Sequence, residues 1–189
     1  KIGQSKEEIR KEIIRRLREQ DSSLRAQRSL SIQEELLASD EFRASRTVMT
    51  YVSMPTEVDT SYFIEEALKR GKRLAAPYME PRDPGIRALE LTSKDYLEEG
   101  PFGICQPKEG LAREIPLKEI DLVVVPLIAV DRNNMRLGRG KGCYDRFLSR
   151  GEMSSVRSIG LAFHFQVVDQ LPSSPHDRPV TRVITDRPG

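Results

Sequence analysis

The sequence contains no tryptophan, only two cysteines and only two histidines among its 189 residues. Cys105 and Cys143 lie far apart and lack C-x-x-C spacing, so the sequence indicates neither a disulfide framework nor a dithiol redox motif. His164 and His176 add too few well-spaced ligands for a structural zinc site. These absences exclude the disulfide-rich and zinc-stabilised classes and indicate a fold held by an ordinary hydrophobic core.

Long apolar runs and a strong net charge are also absent. No segment approaches the roughly 20 apolar residues that cross a bilayer, and the charged N-terminal segment lacks the apolar part of a signal peptide. With 31 Lys+Arg against 29 Asp+Glu the net charge is only +2, whereas nucleic-acid-binding domains usually carry a basic surface. We therefore expect a cytoplasmic protein that binds neither a membrane nor nucleic acid.

The chain has the length of a single domain, 1–189, and shows no repeat, low-complexity segment or linker. Hydrophobic periodicity, capping residues and β-branched runs predict helices at 6–21, 22–39, 60–71 and 144–150, and strands at 47–53, 73–77, 89–92, 122–130, 156–163 and 180–184. Prolines divide 78–120 into short pieces, of which 102–107 is expected to form part of a pocket wall, and 164–171 is a short helix or loop. In the second helix we expect inward packing of Leu24, Leu30, Leu36 and Leu37. The predicted fold class is a single three-layer α/β domain with a mostly parallel central sheet flanked by helices.

The most informative segment is RLGRGKGCYDR, residues 136–146. Its glycines lack a Cβ, so a polyanion can approach their main-chain N–H groups closely. Helix-forming residues follow, and the positive end of a helix dipole would lie behind the same anion. Guanidinium groups bind two phosphate oxygens at once, so the segment predicts a phosphate-binding loop. The residues concerned are Gly138, Gly140 and Gly142 with Arg136, Arg139 and Lys141.

Asp145 is the carboxylate of this segment, and a carboxylate facing phosphates is tolerated when it holds Mg²⁺, which takes oxygen ligands. The alternative is a basic surface loop with nothing bound, because glycine spacing alone is a weak signal and the segment is neither a Rossmann fingerprint nor a P-loop. The apolar run 122–130 favours a site, since ligands gather at the carboxyl ends of buried parallel strands. We interpret Cys143 as a space-filling residue, because no histidine base lies near it in the sequence.

Three further charged residues each keep two interpretations. Lys6 and Arg10 share one face of the first helix, where they either pair with neighbouring glutamates in solvent, the commoner case for exposed charges, or face an anion. Glu57 follows the strand at 47–53 and either points into a cleft or stabilises the start of the next helix.

The order of these motifs resembles the 5-formyltetrahydrofolate cyclo-ligase family, also called methenyltetrahydrofolate synthetases, over nearly the whole chain. The matching segments are a Lys-x-x-x-Arg helix, SMPTEVDT at 53–60, Gly-Ile-x-x-Pro at 103–107 and Arg-Leu-Gly-x-Gly-x-Gly-x-Tyr-Asp from 136 to 145. The resemblance implies ATP- and Mg²⁺-dependent conversion of 5-formyltetrahydrofolate to 5,10-methenyltetrahydrofolate with release of ADP and phosphate. It also implies a fold similar to the ribose-phosphate isomerase and CoA-transferase group, and we expect a monomer.

Matching this sequence to the family position by position implies a role for each site residue, and it replaces the solvated interpretation of the first-helix cations. The implied ATP contacts are Lys6, Arg10, Arg136, Leu137, Gly138, Arg139, Gly140, Lys141, Gly142, Cys143 and Tyr144. The implied folate contacts are Val52, Glu57, which holds the pterin, and Arg139, Gly140, Lys141, Gly142 and Cys143. The implied metal ligands are Asp145 and Asp177, and the candidates for neutralising charge during catalysis are Arg136, Arg139 and Lys141. Two positions depart from the family pattern: Cys143 stands where an aromatic residue is usual, and Thr181 where an acidic residue is common.

Two other functional classes compete on the same fold, because function depends on the site rather than on the fold. A sugar-phosphate isomerase would need an acid/base pair and no ATP. A non-catalytic folate- or nucleotide-binding module would bind both ligands without turnover.

Overall fold

The computed structural model describes residues 3–187, which form five α-helices and ten strands. The helices are α1 Lys6–Glu19, α2 Ser22–Ala38, α3 Asp40–Ala44, α4 Ser61–Lys69 and α5 Cys143–Leu148. The strands are β1 Thr47–Thr50, β2 Arg73–Glu80, β3 Asp83–Leu91, β4 Leu97–Glu99, β5 Cys105–Pro107, β6 Leu122–Val125, β7 Ala129–Val130, β8 Arg136–Leu137, β9 Arg157–Ala162 and β10 Arg182–Thr185.

The central sheet has the strand order β10-β9-β6-β1-β2-β3. Its neighbours pair in parallel, except that β3 runs antiparallel to β2 at one edge. Two small ribbons, β4–β5 and β7–β8, lie outside this sheet. The predicted mostly parallel sheet is therefore confirmed.

The sheet is buried on both faces because its inner strands are apolar at successive positions. Along β6, Leu122 and Val124 belong to one apolar cluster, while Val123 and Val125 belong to another. The first cluster includes residues of α1, α2 and α4, and the second includes Phe147 of α5. Side chains of successive strand residues point to opposite faces, so helices cover the sheet from both sides and the predicted fold class is confirmed.

Local signals set the helix starts largely as predicted. The Ser5 hydroxyl accepts a hydrogen bond from Glu8 N at the start of α1, and Asp21 caps α2 through Ser23 N and Leu24 N. The expectation for two of the α2 leucines is wrong: Leu24 and Leu30 are 45% and 42% exposed. The buried positions of α2 are 29, 32, 33, 36 and 37, and this helical stripe does not include either leucine.

Two strand predictions need correction. The apolar run 122–130 is not one strand, because β6 ends at Val125 and residues 129–130 pair with β8 in a separate ribbon. Strand β3 is also longer than the predicted 89–92. Its first residues include Pro84 and Gly85, which normally argue against a strand but are tolerated at a sheet edge.

Among residues 3–187, no helix combines the length and the apolar character that a bilayer crossing requires.

The direction of strand addition reverses between β1 and β6. From β1 the chain adds β2 and β3 on one side, whereas β6, β9 and β10 extend the sheet on the other side. The loops that leave the carboxyl ends of β1 and β6 therefore diverge and open a crevice, where ligands of open α/β sheets usually bind.

Candidate active site

A cavity of about 950 Å³ opens at the carboxyl ends of the parallel strands β1, β2 and β6. Residues from these strand ends line it, among them Tyr51, Val52, Met79 and Pro126. The volume lies in the range of small-molecule sites. Every residue that the sequence analysis assigned to the site lines this cavity, as do Phe102, Ile104 and Gln106 of the predicted pocket wall. The contacts confirm that these residues lie together, and their individual roles stay predictions.

The glycine-rich loop forms one side of the cavity, and its backbone requires glycine. Gly140 and Gly142 have φ values of 106° and 69°, in the left-handed region that favours glycine. Gly138 is needed for a different reason, because a Cβ placed there would lie 2.8 Å from Nη2 of Arg136. Helix α5, which follows the loop, has only six residues. We therefore expect main-chain N–H groups and cations of the loop, rather than a long helix dipole, to attract an anion here.

Arg136 is buried beneath this loop, with 7% of its surface exposed. Its Nε donates to the Pro126 carbonyl at 2.8 Å, and its Cζ lies 5.1 Å from the ring centroid of Tyr144. No carboxylate among residues 3–187 lies within ion-pair distance of it. Burial lowers the pKa of Arg136, although an arginine stays protonated. Asp145 and Glu57 oppose this lowering, but only from beyond ion-pair distance. A buried charge that lacks a direct partner is costly, so the cavity favours an anionic ligand at this position.

The first turns of α1 pack against the same loop. The Arg10 Nε donates to the Gly138 carbonyl at 2.8 Å, and its guanidinium also pairs with Glu7. The Lys6 ammonium lies 2.8 Å from Oδ2 of Asp177. Arg10 therefore pairs with a neighbouring glutamate, as the solvated interpretation expects, and yet both cations line the cavity.

Glu57 also lines the cavity and is buried, with 9% of its surface exposed. Its Oε1 accepts a hydrogen bond from Met54 N at 2.7 Å. Burial raises the pKa of Glu57, and the hydrogen bond together with Arg139 and Arg136 opposes this rise. The helix-stabilising interpretation of Glu57 is not needed, because Asp59 accepts a hydrogen bond from Ser61 N at the start of α4. Thr60 is the N-cap residue of α4, but its hydroxyl donates to the Tyr51 carbonyl instead of capping the helix.

Two carboxylates lie near each other on the loop side of the cavity. Asp145 accepts a hydrogen bond from Arg178 N at 3.2 Å, which brings the segment containing Asp177 to the same place. Asp177 accepts from Ser174 N and from Lys6, both at 2.8 Å. Burial opposes ionisation of Asp177, but Lys6 and Ser174 together hold its pKa below the ordinary value. In each carboxylate one oxygen has no hydrogen-bond partner among residues 3–187.

Several cavity residues were not found from the sequence. Tyr51 is 3% exposed, and its hydroxyl donates to the Val58 carbonyl at 2.8 Å. The apolar strand pattern around Tyr51 did not indicate that this residue lines the cavity. Phe102, by contrast, was expected only as part of a wall. It is 66% exposed, has a φ of 61°, and has the Lys141 ammonium 5.7 Å from its ring centroid.

The two departures from the family pattern have different locations. Cys143 is a free, partly buried thiol in the cavity, with its Sγ 3.8 Å from the Arg146 guanidinium. Thr181 is outside the cavity lining and exchanges hydrogen bonds with the main chain of Ser158. Thr181 therefore helps to join the segment that leads into β10 to the start of β9.

Comparisons with known proteins match this chain to one enzyme family. The model of the "5-formyltetrahydrofolate cyclo-ligase family" matches residues 2–186. The chain is 31% identical to the 5-formyltetrahydrofolate cyclo-ligase of Mus musculus, over 97% of this chain and 94% of that protein. It is 30% identical to the enzyme of the same name from Haemophilus influenzae, over 96% and 97%. Among solved structures, the NMR structure of Aquifex aeolicus 5,10-methenyltetrahydrofolate synthetase superposes with a TM-score of 0.83 at 31% identity, covering 97% of this chain and 90% of that chain.

Proposed function

The chain belongs to the 5-formyltetrahydrofolate cyclo-ligase family, and from this premise we propose that its cavity converts 5-formyltetrahydrofolate and ATP to 5,10-methenyltetrahydrofolate, ADP and phosphate. One observation carries the proposal. A single cavity is lined by the cations of α1, the glycine-rich loop, Glu57 and the two carboxylates, so a nucleotide and a reduced folate can meet there.

The polyphosphate of ATP would lie on the glycine-rich loop. The buried Arg136 has no carboxylate within ion-pair distance among the described residues, and Lys6 and Arg10 line the same cavity. Arg139 and Lys141 are exposed on the loop and can reach a phosphate group from its open side. Charge-assisted hydrogen bonds of this kind are the strong ones, and a phosphate supplies the acceptor oxygens.

The reduced folate would lie between the loop and the opposite wall. Glu57 uses Oε1 to accept from Met54 N, which leaves Oε2 as an acceptor for the N–H donors of a pterin ring. Val52 and Met79 provide apolar surface beside it, and Phe102 lies at the rim. This wall suits a flat ring with polar N–H groups along one edge.

In the proposed reaction the formyl oxygen attacks the γ-phosphorus of ATP, and the bond from that phosphorus to ADP breaks. N10 of the folate then bonds to the formyl carbon and loses its proton, and phosphate departs with the former formyl oxygen. A methenyl bridge remains. No bond to the protein forms, so the residues act by positioning the substrates and neutralising charge, and Arg136, Arg139 and Lys141 are our candidates for that role.

The carboxylates Asp145 and Asp177 fit Mg²⁺. Each has an oxygen without a hydrogen-bond partner in the described structure, and Mg²⁺ prefers oxygen ligands, usually one or two carboxylates with phosphates and water. No group of three or more His, Cys, Asp or Glu residues within 3–187 is arranged to hold a metal without a ligand's help. A bound Mg²⁺ would neutralise phosphate charge.

The direct test is the absorbance of the methenyl product after mixing the protein with 5-formyltetrahydrofolate, with and without ATP and Mg²⁺. We expect product and an equal amount of ADP only in the complete mixture. Arg139→Ala and Lys141→Ala should each lower kcat/KM by about 10²–10³ through lost transition-state stabilisation. Arg132→Ala is the matched control, because this exposed arginine pairs with Asp169 outside the cavity.

The proposal fails if the complete mixture yields no methenyl product, and the loop assignment fails if both variants turn over like the wild type. A cytoplasmic location and a monomeric state are part of the same proposal and rest on the sequence. Gel filtration and cell fractionation would test them.

A further inference from the structure

Arg25 of α2 contacts the segment that carries Glu57 but does not line the cavity. Its Nε and Nη2 both donate to the Glu57 carbonyl, at 3.0 and 2.8 Å, and Nη2 also lies 3.4 Å from the Met54 carbonyl. The side chain is half-buried. One arginine thus holds both ends of the turn formed by residues 54–57.

This turn has little regular structure to fix it. Strand β1 ends at residue 50 and α4 begins at residue 61, and within the turn Glu57 N donates to the Met54 carbonyl at 3.1 Å. The Glu57 side chain bonds back to Met54 N. The direction of the carboxylate therefore depends on how this short turn is attached to the rest of the protein.

We propose that Arg25 is a positioning residue that fixes the Met54–Glu57 turn, so that the Glu57 carboxylate faces the folate. This inference rests on the proposed function. The planar guanidinium delivers two N–H groups to one carbonyl oxygen and reaches a second, which the single ammonium of a lysine cannot reproduce. Arg25 acts through Glu57 and touches neither substrate.

Arg25 also contributes charge near Glu57. The other charged or titratable groups that influence this carboxylate are Arg136 and Arg139 of the loop, Tyr51 before the turn and Tyr144 of α5. Asp59 after the turn is itself influenced by Arg25. Burial raises the pKa of Glu57, and Arg25 is one of the groups that oppose the rise. Without this cation the pKa rises further, so folate binding that needs the ionised carboxylate is lost at a higher pH.

The test compares Arg25→Met, Arg25→Lys and the control Arg28→Met. Arg28 is a half-buried arginine on the same helix, but it contacts Gln20 and Asp186 instead of the turn. We expect Arg25→Met to raise the KM for 5-formyltetrahydrofolate about tenfold, the effect of one charge-assisted hydrogen bond, and to leave the KM for ATP within about twofold. The pH midpoint of folate binding should rise in Arg25→Met and stay near the wild-type value in Arg25→Lys, because lysine keeps the charge. Arg28→Met should change neither KM.

A double-mutant cycle separates positioning from general stabilisation. In a Glu57→Gln background, Arg25→Met should have little further effect on folate affinity if it acts through Glu57. Additive effects, or equal rises of both KM values, would overturn the inference. Thermal unfolding of each variant shows whether it folds. If Arg25→Met does not fold, Arg25→Lys takes its place in the cycle. Wild-type protein that binds no folate would instead overturn the proposed function.

Discussion

Replacing Gly138 with alanine should disable the site while leaving the fold largely intact. A Cβ at this position would lie 2.8 Å from Nη2 of Arg136, whereas ordinary contact begins at 3.4 Å, so the guanidinium must retreat by about 0.6 Å. The backbone φ of Gly138 is outside the left-handed region, so the substitution adds no backbone strain. The three atoms nearest to the added methyl group all belong to Arg136, so the substitution acts first on that side chain.

The size of the effect follows from where Arg136 is held. Its Nε bond to the Pro126 carbonyl and its contact with the Tyr144 ring prevent it from moving freely, and overpacking of an enclosed group costs about 1–3 kcal/mol of folding free energy. Displacement of a positioning group by about 1 Å can cost roughly 10²-fold in rate. We expect kcat/KM to fall by a factor near this value.

Steady-state formation of the methenyl product and urea unfolding would measure the two effects. Gly151→Ala is the control, because a Cβ there meets no atom within 4 Å and the residue lies outside the cavity. A folded Gly138→Ala variant with wild-type kcat/KM would show that the position of the Arg136 guanidinium does not matter to the reaction.

Three further predictions concern the walls of the cavity. Burial raises the pKa of Glu57, so ionisation of its carboxylate lowers the stability of the folded protein as pH rises from the ordinary pKa of glutamate through the raised one. Glu57→Gln should therefore unfold at an equal or higher urea concentration at pH 8. It should also bind folate about tenfold more weakly, and unchanged folate affinity would remove Glu57 from the site. In a Cys105→Ser background, ATP near ten times its Kd should slow iodoacetamide alkylation of Cys143 about tenfold, and an unchanged rate would contradict the assignment of Cys143 to the nucleotide site. Asp145→Asn should raise the Mg²⁺ concentration that gives a half-maximal rate about tenfold or more. The control Asp169→Asn should not raise it, because this side chain is 91% exposed and lies outside the cavity. Equal Mg²⁺ requirements of the two variants would refute the role of Asp145 as a ligand.

The inner strands could be predicted because their pattern is local. Residues 122–125 are β-branched or leucine at each position, which is typical of a strand buried on both faces. Strand β3 was predicted too short, because Pro84 and Gly85 argue against a strand unless it lies at an edge, and the edge position depends on the whole sheet. The exposure of Leu24 likewise depends on which stripe of α2 meets its neighbours, since leucines off that stripe look the same in the sequence.

The site could be predicted as a set of residues but not as an arrangement. The spacing of glycines and cations predicts an anion-binding loop, the motif order adds Glu57, and the structure brings these residues together in one cavity. The burial of Arg136 beneath the loop depends on the Pro126 carbonyl, which lies ten residues earlier, directly after the end of β6. The attachment of Glu57 through Arg25 depends on a helix 32 residues earlier. Contacts of this kind arise only from the tertiary fold, and no local pattern reports them.

The ion pair between Lys6 and Asp177 joins residues separated by 171 positions. A ribosome adds about 5–20 residues per second, so a nascent chain carries its first helix for roughly ten seconds or more before the matching aspartate is synthesised. During that interval Lys6 lacks this partner, and the cavity has an incomplete wall. Catalytic competence must therefore arise late, after translation has passed Asp177, and chains interrupted shortly before that residue should be inactive even where the strands already synthesised have paired.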